Sequence, residues 1–236
     1  LKDIATKAGV SQMTVSRTLR YQEKVNTNTF SKVKKIIDKI GYVPNDIARS
    51  LATHRTNAVA IILPTLNQVF APSYEGLREK LMYNQYDLML GISNYSPNLE
   101  QDLVRTFISR RVDAIVLIGG NHTQKTITML ENFSFPVIQI WSLPKQTLGD
   151  VIGISHKKGA ENMTKYLWKI GKRNIGYIGG KIRDNDRTTD RLNGFISQMK
   201  KFGQKVEKTK IEEAQNFLIE DGARCFKNLI KRCPNL

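Results

Sequence analysis

The chain holds little of what most catalytic and metal chemistry requires: three histidines and two cysteines among 236 residues. Cys225 and Cys233 lack metal or redox spacing, which excludes a disulfide framework and leaves ordinary reduced thiols. No histidine cluster at ligand spacing, no glycine-rich phosphate loop and no nucleophile elbow is present, and Gly179-Gly180 is too short a signal to replace them. These absences argue against an enzyme and against a bound cofactor or metal. No apolar run is long enough to cross a bilayer and no leader-like stretch precedes Leu1, so the expected location is the cytoplasm. The first residue is not Met, so a few residues are expected upstream. Acidic residues are scarce as well: 21 against 37 lysines and arginines, a formal charge of +16.

That surplus is dense near the amino terminus, where the first 55 residues carry 11 basic and four acidic side chains. A surface of this kind suits a polyphosphate. Lys2 to Ala8 reads as a short helix burying Ile4, Ala5 and Ala8, and Gly9 supplies the freedom that a tight turn needs. Val10 plugs the core and Ser11 caps a second helix. On that helix Val15, Thr18 and Leu19 share one face, while Gln12, Met13, Ser16, Arg17 and Arg20 form the opposite stripe. Apolar inward and donor-rich outward is the division a recognition helix requires, because base edges are read by amide and guanidinium forks and by apolar contact with thymine methyls.

Asn26 or Thr27 caps a third helix in which Phe30, Val33, Ile36, Ile37 and Ile40 recur every three or four residues, with Gly41 as its stop. Beyond it, Pro44 to Ala52 suits a short helix with proline in the first turn. About nine residues are marginal for an isolated helix in water, so this hinge is expected to fray in the free protein. From Ala58 onward strand-like and helix-like segments alternate. The strands read as Val59–Leu63, Tyr86–Ile92, Ala114–Ile118, Val137–Trp141, Val151–Ile154 and Ile175–Ile178. Helical segments read as Tyr74–Tyr83, Leu99–Arg110, Thr126–Asn132, Lys157–Ile170, Leu192–Phe202 and Gly222–Arg232. This order predicts doubly wound parallel sheets, with ligands bound beyond the carboxyl ends of the strands. The loops there are 65–72, 93–97, 119–123 and 181–191.

With the Ala8-to-Arg17 motif and the Tyr42-to-Ala52 segment in view, the chain resembles the lactose-repressor family of bacterial transcription regulators over nearly its whole length. Met13 to Arg20, Ile62-Leu63-Pro64 with Asn67 to Ala71, and Asn121-His122-Thr123 look most like the gluconate-utilisation repressors. The resemblance implies an all-α helix-turn-helix DNA-binding domain over 1–43, a hinge helix and linker over 44–56, and an α/β periplasmic-binding-protein-like domain over 57–236. It implies that Gln12 and Met13 set operator preference, that Arg17 contacts a base edge, and that Thr14, Ser16 and Asn26 hold phosphates. In the hinge it implies that Leu51 wedges between base steps of the minor groove, with Asn45, Ala48 and Arg49 beside it.

For the larger domain the groups a polyol or sugar acid would need are Asn67, Phe70, Asn121, His122, Arg187 and Arg191, and Arg191 followed by Gly194 matches the family's effector-contacting arginine. The implied partners are a pseudo-palindromic DNA operator, a sugar or sugar-acid effector and a second copy of the chain. The family pattern continues past Leu236, so the second lobe is expected to be incomplete, with an open sheet edge that lowers stability or effector response. Two alternatives stand beside this reading: a non-functional truncated regulator, and a transport-type sugar-binding protein, which shares the alternating architecture but is disfavoured by the basic helical head and the missing export signal.

Overall fold

The computed structural model describes residues 1–20, 24–43, 55–67 and 69–236. The expected hinge contacts Asn45, Ala48, Arg49 and Leu51 lie outside the described residues. The chain divides into two compact units, Leu1–His54 and Arg55–Leu236.

The first unit is built from α1 (Lys2–Ala8), α2 (Gln12–Arg20) and α3 (Thr27–Ile40). Ile4, Ala5, Ala8, Val15 and Val33 are buried together, with Val10, Leu19, Ile36, Ile37 and Tyr42 packed around them. Helix α1 ends where Gly9 adopts a left-handed conformation at φ 64°, a region closed to most side chains. The Ser11 hydroxyl accepts from the Thr14 N–H at 3.1 Å and starts α2 one residue later. Asn26 does the same for α3 through the Asn28 N–H at 3.0 Å.

The second unit opens with a five-stranded parallel sheet in the order β2-β1-β3-β4-β5, formed by β1 (Ala58–Leu63), β2 (Asp87–Ile92), β3 (Ala114–Ile118), β4 (Val137–Ile140) and β5 (Asp150–Ile152). Strand β1 is buried on both faces, as a central parallel strand must be. Ala60 and Ile62 join Ile115 and Leu117 under α5 (Pro97–Ser109) and α6 (Gln124–Glu131). Val59, Ile61 and Leu63 face the other way, toward Tyr74, Leu77 and Leu81 of α4 (Ala71–Tyr83). The order reverses between β2 and β3 around β1, so the loops after these strands open a crevice at the carboxyl edge.

A second lobe follows: α7 (His156–Lys169), β6 (Tyr177–Gly180), α8 (Asp186–Lys201), β7 (Ile211–Ala214) and α9 (Ile219–Arg232), with β6 and β7 parallel. Ile175, Phe195 and Met199 form its core with Leu167, Trp168, Tyr177, Leu192 and Val206. Helix α8 starts six residues before the sequence expectation. Asn185 caps it by accepting from the Thr188 N–H at 3.3 Å, and the acid of the first turn is Asp186. Arg187 and Arg191, expected on a loop, therefore stand on the first turns of a helix. The polar run Asp184 to Asp190 reads as a loop by composition, yet an Asn cap followed by an acid is a helix-start pattern. Strand β7 was not expected either, and β6 runs two residues beyond its expected end. Among the described residues no helix is long and apolar enough to cross a membrane.

Candidate functional site

Two surfaces bear chemistry, one on each unit. On the first, Gln12, Met13 and Arg17 of α2 are exposed, and Met13 has 70% of its surface open to solvent. Val15 and Thr18 are buried on the opposite side, where the Thr18 hydroxyl donates to the Thr14 carbonyl at 2.8 Å. An exposed methionine on a helix of nine residues has no packing reason to be there. Beside an amide and a guanidinium it forms an edge matched to a major groove. Thr14 and Ser16 are half-buried at the margin of this edge, and Asn26 is exposed with its carbonyl oxygen engaged in the cap of α3.

On the second unit a narrow polar cleft, partly open to solvent, lies at the carboxyl edge of the five-stranded sheet. Its wall from the first lobe includes Pro64, Tyr95, Glu100 and Asn121, and its wall from the second includes Asp184, Asp186 and Arg187. Arg187 is 6% exposed. Its guanidinium lies 5.8 Å from the centre of the Phe70 ring and donates to Asp186 Oδ1 at 3.0 Å. Burial pulls its pKa below the ordinary value, and the Asp186 carboxylate opposes that pull. Gly119 adopts φ 88°, a conformation that strains other residues, and a Cβ there would fall 2.3 Å from Arg187 Nη1 and push the guanidinium aside.

Tyr95 adds a second aromatic wall. It stacks on Phe217 of the second lobe with ring centres 5.2 Å apart, and its backbone holds φ 58°, an uncommon conformation for a bulky residue. Its hydroxyl faces Arg187, and burial raises its pKa while Arg187 lowers it.

One turn along α8, Arg191 donates to His156 Nδ1 at 3.0 Å and to Thr188 Oγ1 at 3.1 Å. The Tyr177 hydroxyl lies beside it, with its pKa raised by burial. Of the six residues expected to hold a ligand, Asn121 and Arg187 line the cleft and Phe70 supports Arg187 from behind. Asn67 accepts the N–H of Val69 at 3.1 Å and so shapes the turn before α4. His122 has both ring nitrogens engaged: Nδ1 meets Glu100 Oε1 at 2.6 Å and Nε2 meets Gln139 Nε2 at 3.2 Å. Gln139, fully buried, also donates to the Gly119 carbonyl and accepts from the Leu148 N–H. His122 thus fixes the floor of the cleft through Glu100. Sequence reasoning missed Tyr95, Glu100, Gln139, Ser142, His156 and Asp186. Only Asp186 carried a local signal, as the acid next to a capping Asn.

The model of the bacterial regulatory proteins of the lacI family matches residues 1–45, and that of the periplasmic binding proteins and sugar binding domain of the LacI family matches residues 56–236. The chain belongs to the LacI family. Its LacI-family relatives include the HTH-type transcriptional regulator GntR of Escherichia coli strain K12, 29% identical over 237 residues, covering 100% of this chain and 70% of GntR. Catabolite control protein A of Staphylococcus epidermidis is 28% identical, with 99% of this chain and 70% of the relative covered. A LacI-family regulator from Silicibacter pomeroyi superposes with a TM-score of 0.89 at 30% identity, over 100% of this chain and 71% of that one. A helix-turn-helix head and a sugar-binding-type domain in one polypeptide make this LacI-family chain a DNA-binding transcription regulator.

Proposed function

We propose that the chain represses a carbohydrate or sugar-acid utilisation operon, as a homodimer on a pseudo-palindromic operator, and that a small ligand in the cleft controls its grip on DNA. One observation carries the reading: an exposed Gln12, Met13 and Arg17 edge occurs in the same polypeptide as a polar cleft built around a buried arginine. Gln12, Met13 and Arg17 read bases; Thr14, Ser16 and Asn26 hold phosphates and set register. The wedge is Leu51, with Asn45, Ala48 and Arg49 flanking it in the minor groove. In this reading residues 1–43 bind DNA, 44–56 transmit the signal, and 57–236 bind the ligand.

The cleft recognises its ligand by a guanidinium from Arg187, supported by Phe70, and by amide and carboxylate groups from Asn121 and Glu100. Arg191 stands one turn behind, held by His156. Asn67 and His122 shape the two loops that carry these groups. A sugar acid satisfies both kinds of partner, since its carboxylate suits arginine and its hydroxyls suit amides and carboxylates. Gluconate represents this class, in keeping with the resemblance of residues 62–71 and 121–123 to the gluconate-utilisation repressors. The test is fluorescence anisotropy of the chain on an enriched operator, with gluconate, idonate, glucose or glucitol added. Release by a sugar acid and not by the neutral polyols supports the reading; operator affinity unchanged by all four refutes it.

A further inference from the structure

Asp186 makes three polar contacts that its neighbours in the cleft do not. Oδ1 accepts from Arg187 Nη1 at 3.0 Å. Oδ2 accepts from the Gly120 N–H at 2.8 Å and from the Ser142 hydroxyl at 3.2 Å. Gly120 and Ser142 follow β3 and β4 in the first lobe, whereas Asp186 and Arg187 open α8 in the second. One carboxylate therefore neutralises the cleft's buried arginine and fastens the two lobes to each other. The seat is shaped for it, because a Cβ at Gly119 would meet both Arg187 Nη1 at 2.3 Å and Asp186 Oδ1 at 2.9 Å.

We infer that Asp186 is a built-in competitor for an anionic ligand: a carboxylate that takes the Arg187 guanidinium must displace Asp186, and displacing it releases the lobes at Gly120 and Ser142. The contact with Nη1 sets up this competition, since an added carboxylate on the same guanidinium lies within a few ångströms of Asp186. Two carboxylates around one desolvated guanidinium repel each other strongly in a cleft of low effective dielectric. A neutral polyol pays no such penalty and leaves the latch closed. Asp186 is thus a specificity-determining residue that couples ligand charge to lobe geometry. The inference rests on the cleft being the ligand site, as proposed above.

The test uses the full chain as wild type, Asp186→Asn and Arg187→Met, with gluconate, glucitol and inorganic phosphate titrated by calorimetry and thermal shift. Asp186→Asn keeps an acceptor for Gly120 and removes the competing charge. It is expected to bind gluconate about tenfold more tightly than wild type, with glucitol affinity unchanged. Phosphate, a minimal anion, is expected to raise the melting temperature of Asp186→Asn more than that of wild type, and Arg187→Met to lose that increment even though the basic head still attracts phosphate. If gluconate binds wild type but Asp186→Asn shifts gluconate and glucitol alike, or neither, the latch is overturned and the ligand reading stands. If gluconate fails to bind while the phosphate increment appears, the sugar-acid reading falls and the latch stands. No binding of any of the three beyond that of Arg187→Met overturns both. Should Asp186→Asn fail to fold, Ser142→Ala loosens the same carboxylate and is expected to move anion affinity in the same direction by a smaller factor; no anion-selective change there overturns the latch.

Discussion

Arg191 donates to His156 Nδ1 at 3.0 Å while His156 Nε2 donates to the Trp141 carbonyl at 2.7 Å. An imidazole that accepts on one nitrogen and donates on the other is neutral, and a second proton would point at a guanidinium. Burial is the main cause that holds the His156 pKa below its ordinary value of 6.5, and the nearby Arg191 charge adds to it. The unfolded chain therefore binds this proton more readily than the folded one. Stability is complete above pH 6.5 and is lost as pH falls from there toward the depressed folded value, by at most about 1.4 kcal/mol per pH unit. Chemical denaturation from pH 8 to pH 5 reads this slope. His156→Gln is expected to flatten it, and an equal slope in both proteins would contradict the assignment.

Removal of the buried arginine is expected to be costly. Arg187→Met leaves the Asp186 carboxylate, itself only one quarter exposed, without its cation, at a cost of about 3 kcal/mol. Adding Asp186→Asn to that variant removes the stranded charge and is expected to restore part of the loss. A double-mutant cycle by denaturant melts measures the coupling, and strict additivity would show that the pair does not act as one.

The His122 network makes a separate demand. His122→Ala leaves Glu100 and Gln139 each short of a buried partner, at about 1–3 kcal/mol. The melting temperature is expected to fall by several degrees. Glu100→Gln is expected to cost less, since its amide retains an acceptor for Nδ1–H. A larger loss for Glu100→Gln than for His122→Ala would refute the picture of His122 as the hub.

Local signals made much of this molecule readable from sequence. Gly9, Ser11, Asn26 and Gly41 each act within a few residues of themselves, and so the helical head follows directly from spacing. Val33 is buried as its periodicity requires, while Ile40, on the last turn, is 40% exposed because the helix outlasts the core. Strand β7 was hidden because Ile211-Glu-Glu-Ala carries acids where a strand pattern wants apolar residues. Glu212 is tolerated there because Arg232, on α9, reaches it at 2.5 Å. That partner is invisible to a local pattern. The same holds in the cleft: Glu100, His122 and Gln139 meet from three elements, and only the packed sheet brings them together. The start of α8 was legible in principle from Asn185 and Asp186, but polar composition outweighed the cap.

Arg17 is expected to dominate sequence discrimination. Arg17→Ala should lose about 1–3 kcal/mol of preference between operator and mismatched duplex while the fold persists, because the side chain is exposed. Competition titrations at fixed salt measure the ratio. Thr14→Ala or Ser16→Ala is expected instead to weaken binding to all sequences by a similar factor.

The most direct measurement is selection of bound duplexes from a random DNA pool by the full chain, repeated with Arg17→Ala. Wild type is predicted to enrich a twofold-related motif, and Arg17→Ala to flatten it at particular base positions. A selected pool indistinguishable from the starting pool would contradict the account at its root.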